Sequence, residues 1–315
     1  MDSKYHIHHG DCLDILRTLP EKEIQAIITS PPYAEQRKSI YGGAPQDEYV
    51  EWFLPRAAEM HRVLKNRGSF LLNIKEHVEK GQRQTYVMRL ILALVDQGWL
   101  WTESYCWHKK NCTPGKWPNR FRDSWETIYH FTKQRKFDMY QERVMVPMGD
   151  WAQTRLQNLS EEDQQRHLSA VGSGFARNVS KWVDRDKAYP TNVLHLPTEC
   201  SNKDHGAVFP VALPAWFVTL FSNPGDTIMD PFSGSGTTGV AAVRQGREYI
   251  GIDSQESFVI TSRTRLKGAS SNAVAATKED EVQPPPQVNP KGALVMNPDG
   301  SVALSDVFEV FEGDG

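Results

Sequence analysis

A short polar motif at the end of an apolar run has the residue types needed to hold a planar group. The motif is Ser30-Pro31-Pro32-Tyr33, and it follows a run that is typical of a buried strand. The two prolines fix the backbone and remove two N–H donors, which leaves their carbonyls available as acceptors. The Tyr33 ring can lie flat against a planar ligand. Taken alone, the motif is equally consistent with a proline-rich turn that carries a surface tyrosine.

A second loop has the glycine spacing of nucleotide-binding sites. Gly234, Gly236 and Gly239 form a GxGxxG pattern between a predicted strand and a predicted helix. Asp253 ends the next predicted strand, 19 residues after Gly234, where a carboxylate can accept hydrogen bonds from ribose hydroxyls. This placement favours a ligand-binding loop over a structural glycine-rich turn.

Two cofactors fit the second loop. A dinucleotide would place its pyrophosphate at the N-terminus of the helix, whereas S-adenosylmethionine has no phosphate and would place its methionine part beside the loop. The Asp230-Pro231-Phe232 sequence before the glycines and the late position of the loop favour S-adenosylmethionine. In a parallel sheet both loops leave the carboxyl edge, so the methyl donor would face a group held by Ser30–Tyr33.

Strands alternate with helices along most of the chain, which predicts an α/β fold with a mostly parallel sheet. The alternation stops after Trp107, where a basic, aromatic and irregular stretch begins. Strands are predicted at 5–9, 24–29, 69–74, 99–107, 125–131, 192–194, 227–230 and 249–253. Helices are predicted at 12–19, 47–64, 86–94, 160–167, 209–221, 236–244 and 256–266.

The net charge of −3 hides an uneven distribution. Residues 267–315 carry three lysines and eight acidic residues, so the remainder of the chain is net positive. Residues 101–143 alone contain nine basic and five acidic residues. Concentrated positive charge of this kind is what contact with a phosphate backbone needs.

The cysteines and the hydropathy exclude several classes of protein. The four cysteines form no CxxC pair, and the Cys106, His108 and Cys112 spacing lacks a fourth zinc ligand, so no metal is expected. Unpaired thiols indicate a cytoplasmic protein. We expect neither a membrane span nor a signal segment, because no apolar run has the required length or flanking charge.

Together the motifs resemble the β-class of DNA amino-methyltransferases, in which the catalytic motif precedes the cofactor motif. Residues 30–33 match motif IV, residues 230–236 match motif I, and Asp253 matches the acidic residue of motif II. Residues 9–12 resemble the segment whose aspartate contacts the cofactor adenine, and residues 203–210 resemble motif X. The resemblance covers residues 4–266. It implies a Rossmann-like S-adenosylmethionine-dependent methyltransferase fold with helices on both sheet faces and a permuted motif order.

The resemblance also implies a reaction on the exocyclic amine of a base in double-stranded DNA. The lone pair of such an amine is delocalised into the ring, so acceptors at its hydrogens favour the nucleophilic form. Ser30 and the Pro31 carbonyl are the implied acceptors, and Tyr33 stacks on a base that has been flipped out of the duplex. The Ser-Pro-Pro-Tyr sequence favours N4 of cytosine, while N6 of adenine stays open.

For cofactor binding, the resemblance implies a set of residues from four segments. They are Asp11, Cys12, Thr29, His205, Phe209, Pro210, Asp230, Pro231, Phe232, Gly234, Ser235, Gly236, Thr237, Thr238 and Asp253. Within the catalytic loop, Pro32 completes the implied set of catalytic residues. The candidates for DNA contact are Lys109, Lys110, Lys116, Arg120 and Arg122, with a solvated basic loop as the alternative.

Five segments are predicted along the chain. Residues 1–107 form the catalytic half, 108–190 an inserted DNA-recognition region, and 191–267 the half that binds S-adenosylmethionine. Residues 268–291 form a flexible linker rich in Ala, Ser, Glu and Pro, and 292–315 a small hairpin and tail.

Two other functions stay open from the residues alone. A dinucleotide-dependent oxidoreductase would explain the glycine loop and Asp253 but leaves Ser30–Tyr33 without a role. A non-catalytic binding module would leave the complete catalytic loop unexplained. For the methyltransferase, a restriction endonuclease is a possible counterpart, and the expected assembly is a monomer or a homodimer.

Overall fold

Twelve strands are present in the part of the chain that the computed structural model describes, which comprises residues 5–34, 44–111, 115, 118–148, 186–198 and 209–275. In chain order they are β1 (Tyr5–His9), β2 (Ile24–Thr29), β3 (Leu64–Ile74), β4 (Val78–Glu79), β5 (Gln82–Arg83), β6 (Leu100–Lys109), β7 (Trp125–Thr132), β8 (Val146–Pro147), β9 (Lys187–Ala188), β10 (Val193–Leu196), β11 (Thr227–Asp230) and β12 (Glu248–Asp253).

Six α-helices connect these strands within the described residues. They are α1 (Cys12–Thr18), α2 (Tyr49–Val63), α3 (Tyr86–Asp96), α4 (Ala212–Phe221), α5 (Thr237–Arg244) and α6 (Glu256–Ala275). A 3-10 turn covers Gln141–Val144. No helix in the described ranges is long and apolar enough to cross a membrane.

Eight strands form the central sheet in the order β1-β12-β11-β2-β3-β7-β6-β10. All neighbouring pairs are parallel except those of β7, which runs antiparallel to both β3 and β6. The start of β7 therefore lies at the edge where the parallel strands end. This architecture confirms the predicted α/β fold with a mostly parallel sheet.

Both faces of the sheet are covered by helices. Alternate residues of each strand point to opposite sides, so each strand contributes to the core on both faces. Ile27 of β2 and Phe70 of β3 belong to a buried cluster that also contains side chains of α1, α2 and α3. Ile28 and Leu71, the next residues on the same strands, belong to a second cluster with α4, α5 and α6. Burial on both sides matches the composition of β2, in which all six residues are buried and four are apolar.

The strand order reverses direction between β11 and β2, at the centre of the sheet. From β11 the chain passes through α5 to β12 on one side, whereas from β2 it passes through α2 to β3 on the other. The loops that follow β2 and β11 therefore separate at their shared edge and leave a crevice. Ligands in open α/β sheets bind at such a point. This crevice, between the loops that follow β2 and β11, is termed the junction.

Several predicted boundaries differ from the structure. Strand β3 begins at Leu64 rather than 69, because the chain enters the sheet directly after α2. Helix α6 continues to Ala275, so the first residues of the predicted linker at 268–291 are helical, as their alanines permit. Strand β7 lies within the predicted 108–190 insertion but belongs to the central sheet. The predicted helix at 160–167 and the hairpin at 292–315 lie outside the described residues.

Candidate active site

A buried carboxylate joins the two loops at the junction. Thr29, at the end of β2, donates to Asp230 Oδ1 at 2.5 Å, and Thr238 of α5 donates to Asp230 Oδ2 at 2.9 Å. Burial raises the pKa of Asp230 to about 6, while these hydroxyls and the Phe232 amide favour its charged form. All three side chains are buried and bonded to one another. We therefore interpret them as positioning residues, although the resemblance implied direct cofactor contact.

The glycine loop, residues 230–239, turns sharply between β11 and α5. Gly236 has φ +79°, and a Cβ at this position would collide with the Ser262 hydroxyl of α6. Arg265 of the same helix donates to the Ser235 carbonyl and hydroxyl at 2.8 and 2.7 Å and to the Thr237 hydroxyl at 3.1 Å. The loop is therefore fixed from behind by α6, and Ser235 and Thr237 take part in that support.

Two carboxylates lie at the ends of the adjacent strands β1 and β12. Asp253 accepts from the Gly234 amide at 2.8 Å, and the Asp253 carbonyl accepts from the Gly10 amide at 3.0 Å. Asp11 caps α1 through the Leu13 amide and also accepts from Arg56 at 2.7 Å. Both carboxylates are acceptors, which suits the hydroxyl and amine donors of a nucleoside.

This donor set argues against a pyrophosphate at the glycine loop. The Gly234 amide is used by Asp253, and the Gly236 amide donates to the Ser233 carbonyl at 2.9 Å. A pyrophosphate would need such amides to be free and would lie close to two negative carboxylates. The arrangement fits a nucleoside without phosphates better than a dinucleotide.

An aromatic group lies next to the carboxylates. The ring of Phe232 is 5.8 Å from that of Trp52 and 6.4 Å from that of Phe53. The Arg56 guanidinium lies over the Trp52 ring at 4.4 Å. Cys12 points into the core below, where burial raises the pKa of its thiol to about 12, so this thiol is not a nucleophile.

The Ser30–Tyr33 loop is held by side chains from distant elements. The Pro32 carbonyl accepts from the Tyr49 hydroxyl of α2 at 2.8 Å. The Tyr33 hydroxyl donates to Glu126 of β7 at 3.1 Å, and the Ser30 hydroxyl lies 3.4 Å from the Tyr33 hydroxyl. Burial and then the charge of Glu126 raise the pKa of Tyr33, so its phenol stays protonated. The predicted catalytic residues thus lie together beside the predicted cofactor loop.

Comparisons with known proteins identify the family. The family model described as DNA methylase, for N6 and N4 methyltransferases, matches residues 24–263. The chain belongs to the DNA methylase family. Over 283 residues this methylase is 31% identical to the Type II methyltransferase M.PvuII of Proteus hauseri, with 82% of each chain covered.

Solved structures and a second relative agree with this assignment. The PvuII DNA methyltransferase, described as cytosine-N4-specific, superposes with a TM-score of 0.63 at 26% identity, covering 87% of this methylase and 93% of that chain. A DNA modification methylase of Thermus thermophilus, solved with S-adenosyl-L-methionine, has a TM-score of 0.56 at 21% identity, with 84% and 94% covered, and shows the shared fold. The DNA adenine methyltransferase YhdJ of Escherichia coli is 27% identical over 268 residues, with 84% of this methylase and 83% of YhdJ covered.

The predicted DNA-contact residues of the methylase fall into separate environments. Lys109 ends β6 and donates to Glu126 at 2.5 Å, so its ammonium group points into the site. Arg120 is ion-paired with Asp123 at 3.1 Å. Lys110 and Arg122 are both exposed. Lys116 lies outside the described residues.

The predicted motif X segment is described only at its end. His205 lies outside the described residues of the methylase. Phe209 packs against the cluster under α4, and the Pro210 carbonyl accepts from the Leu213 amide at 3.0 Å at the start of α4. Among the described residues there is no group of three or more His, Cys, Asp or Glu side chains suited to a metal.

Sequence reasoning missed the side chains that support both loops. Tyr49 and Arg56 lie on a helix predicted only from its apolar spacing, and Arg265 lies on another. Glu126 belongs to a correctly predicted strand, but the antiparallel direction of β7 is not encoded locally. A charged residue in a strand of otherwise aromatic and β-branched residues was the one available signal for Glu126.

Proposed function

We propose that this methylase transfers a methyl group from S-adenosylmethionine to N4 of a cytosine flipped out of double-stranded DNA. The observation that carries the proposal is the Thr29–Asp230 hydrogen bond, which fixes the Ser30–Tyr33 loop beside the glycine loop. The resemblance of the fold to the cytosine-N4-specific PvuII enzyme supports the choice of base.

The residues around the junction fit S-adenosylmethionine, which supplies an electrophilic methyl group when bound. Asp253 would accept from the ribose hydroxyls, and Asp11 from the adenine amine. The half-buried rings of Trp52 and Phe232 offer an apolar surface for the adenine. The S-adenosylmethionine complex of the Thermus thermophilus relative supports this cofactor.

The catalytic loop provides acceptors for the hydrogens of the exocyclic amine. Because the Pro32 carbonyl is occupied by Tyr49, the Pro31 carbonyl and the Ser30 hydroxyl are the acceptors that we assign to the amine. Acceptors held at these hydrogens favour the pyramidal amine, and the fixed loop reduces the entropic cost of alignment. The Tyr33 ring would stack on the flipped base.

Adenine N6 is the second candidate for the target. The E. coli relative described as a DNA adenine methyltransferase supports it, since it is 27% identical to this methylase, compared with 31% for M.PvuII. The two acceptors of the loop suit either exocyclic amine, so the geometry of the catalytic loop does not choose between the bases.

The decisive experiment identifies the methylated nucleoside. Purified protein is incubated with duplex DNA and methyl-labelled S-adenosylmethionine, and the DNA is digested and analysed by mass spectrometry. We expect N4-methyldeoxycytidine with the native protein, formed about 10²- to 10³-fold more slowly with Ser30→Ala. N6-methyldeoxyadenosine would identify adenine as the target, and the absence of any labelled nucleoside would overturn the proposed function.

We further propose that residues in 108–190 read the target sequence and that a restriction endonuclease shares the site. The Type II designation of M.PvuII supports such a counterpart, which would act on cytoplasmic DNA. Mapping methylated positions in DNA from cells that express the protein would give the site. Sedimentation of the purified protein distinguishes the predicted monomer from a homodimer.

A further inference from the structure

Glu126 is a largely buried charged residue next to the exposed Trp125 at the start of β7. It is the second residue of β7, and its side chain is only 12% exposed. Because β7 is antiparallel to β3, this position lies at the edge from which the Ser30–Tyr33 loop leaves β2. A buried carboxylate is costly unless donors surround it, so its partners reveal its role.

Three donors converge on Glu126. Its Oε2 accepts from the Tyr33 hydroxyl at 3.1 Å and from the Asn73 amide at 3.2 Å. Its Oε1 accepts from the Lys109 ammonium at 2.5 Å. Every donor comes from a different strand end or loop, and the bond from the Lys109 ammonium is charge-assisted.

An ionised carboxylate gives the neighbouring hydroxyls a direction. A hydroxyl can donate or accept, whereas the carboxylate only accepts. The Tyr33 hydrogen therefore points to Glu126, and the Tyr33 oxygen is left to accept from Ser30, 3.4 Å away. With its hydrogen turned towards Tyr33, the Ser30 oxygen presents its lone pairs to the opposite side.

We propose that Glu126 is a positioning residue for methyl transfer, which it serves by orienting the Ser30–Tyr33 hydroxyls so that Ser30 accepts from the amine of the target base. The proposal rests on the proposed function, since it needs an amine beside Ser30. Glu126 itself touches no atom of the base or the cofactor in this role.

Substitution Glu126→Gln keeps the size of the side chain but adds an N–H₂ donor. Whichever way the amide turns, this donor faces either the Lys109 ammonium or the Tyr33 hydroxyl. We expect kcat to fall about 10²-fold, as for other losses of alignment, with little change in KM for DNA or S-adenosylmethionine.

A double-mutant cycle with Tyr33→Phe separates positioning from general stability. If Glu126 acts through the Tyr33 hydroxyl, Glu126→Gln has little further effect on kcat once that hydroxyl is absent. Losses in kcat that multiply in the double variant would overturn the proposal. Equal losses in kcat and cofactor affinity would also overturn it.

A matched control lies at the opposite end of β3. Asp138 is a partly buried carboxylate that accepts from Arg67 at 2.6 Å and from Gln25 at 3.4 Å, far from the junction. Asp138→Asn removes a comparable charge, and we expect it to leave kcat within about twofold. A similar loss of kcat in both variants would identify a structural effect.

A spectroscopic measurement keeps this inference distinct from the function. In protein labelled with ¹³C at the phenol carbon of tyrosine, Glu126→Gln is expected to shift the resonance that disappears in Tyr33→Phe. Asp138→Asn is expected to leave that resonance in place. An unshifted resonance overturns the role of Glu126, whereas a native protein that methylates no DNA overturns the proposed function.

Discussion

The two loops at the junction are fixed in contrasting ways. The glycine loop is held by its own backbone and by partners from the segment that follows it, Asp253 and Arg265. The Ser30–Tyr33 loop is held by side chains from distant parts of the chain, Tyr49, Glu126 and Asp230. From this contrast we expect cofactor binding to depend on backbone shape and methyl transfer to depend on oriented hydroxyls.

The largest effect is expected from a substitution of Ser30, which should lower the rate of methyl transfer without changing cofactor binding at the glycine loop. Ser30→Ala removes an acceptor for the amine, and we expect kcat to fall about 10²- to 10³-fold. The affinity for S-adenosylmethionine, measured by calorimetry, is expected to stay within about twofold. A parallel loss of cofactor affinity would show that the two loops are not functionally separate.

A pH effect is expected from Asp230, where the loops meet. Because its pKa is raised to about 6 from 3.8, the folded state binds this proton more tightly than the unfolded state. The resulting stability is present below about pH 4 and is lost as the pH rises through 6, with a span of about 3 kcal/mol.

Chemical denaturation of native protein and Asp230→Asn between pH 4 and 7 tests this effect. We expect the free energy of unfolding of the native protein to decrease relative to that of the variant as the pH rises. A difference that is constant across this range would contradict the raised pKa of Asp230.

The glycine loop is tested by adding one methyl group. Gly236→Ala places a Cβ in the left-handed region and against Ser262, which we expect to cost about 3 kcal/mol and to weaken cofactor binding more than tenfold. Gly246→Ala is the control, since Gly246 has φ +76° but a Cβ there meets nothing closer than 3.9 Å. Thermal unfolding and calorimetry of both variants are compared. An unchanged cofactor affinity in Gly236→Ala would mean that the detailed loop shape is not needed.

The smallest expected effect concerns Arg56, which orients Asp11. Arg56→Met removes the hydrogen bonds to Asp11 and to the Trp52 carbonyl. We expect the Kd for S-adenosylmethionine to rise roughly fivefold, or about 1 kcal/mol, at unchanged kcat. Arg62→Met on the same helix removes bonds to Glu59 and to the Leu16 carbonyl instead. It is expected to leave the Kd unchanged, and an equal rise in both variants would assign the effect to α2 as a whole.

The contrast between the glycine loop and the Ser30–Tyr33 loop also explains which features of the site could be predicted from the sequence. The glycine spacing, Asp253 and the flanking strand and helix are local features, so the shape and ligand of the second loop were predictable. The Ser30–Tyr33 loop was also predicted, and its placement beside the glycine loop is confirmed. Its supports were not predicted, because Glu126 reaches it only through the reversed direction of β7. The role of Arg56 was not predicted, because its helix was predicted only from the apolar spacing of the buried face.

The hydrogen bond between Thr29 and Asp230 connects residues 201 positions apart. Strand β11 fills the middle of the sheet, between β2 and β12, yet it is among the last strands to be synthesised. At about 5–20 residues per second, a ribosome needs roughly 10–40 seconds to pass from one partner to the other. During that interval the nascent chain has an unpaired β2 edge and no methyl-transfer centre. Because the central strand β11 is made so late, the methyl-transfer centre can form only after nearly all strands of the sheet have been synthesised.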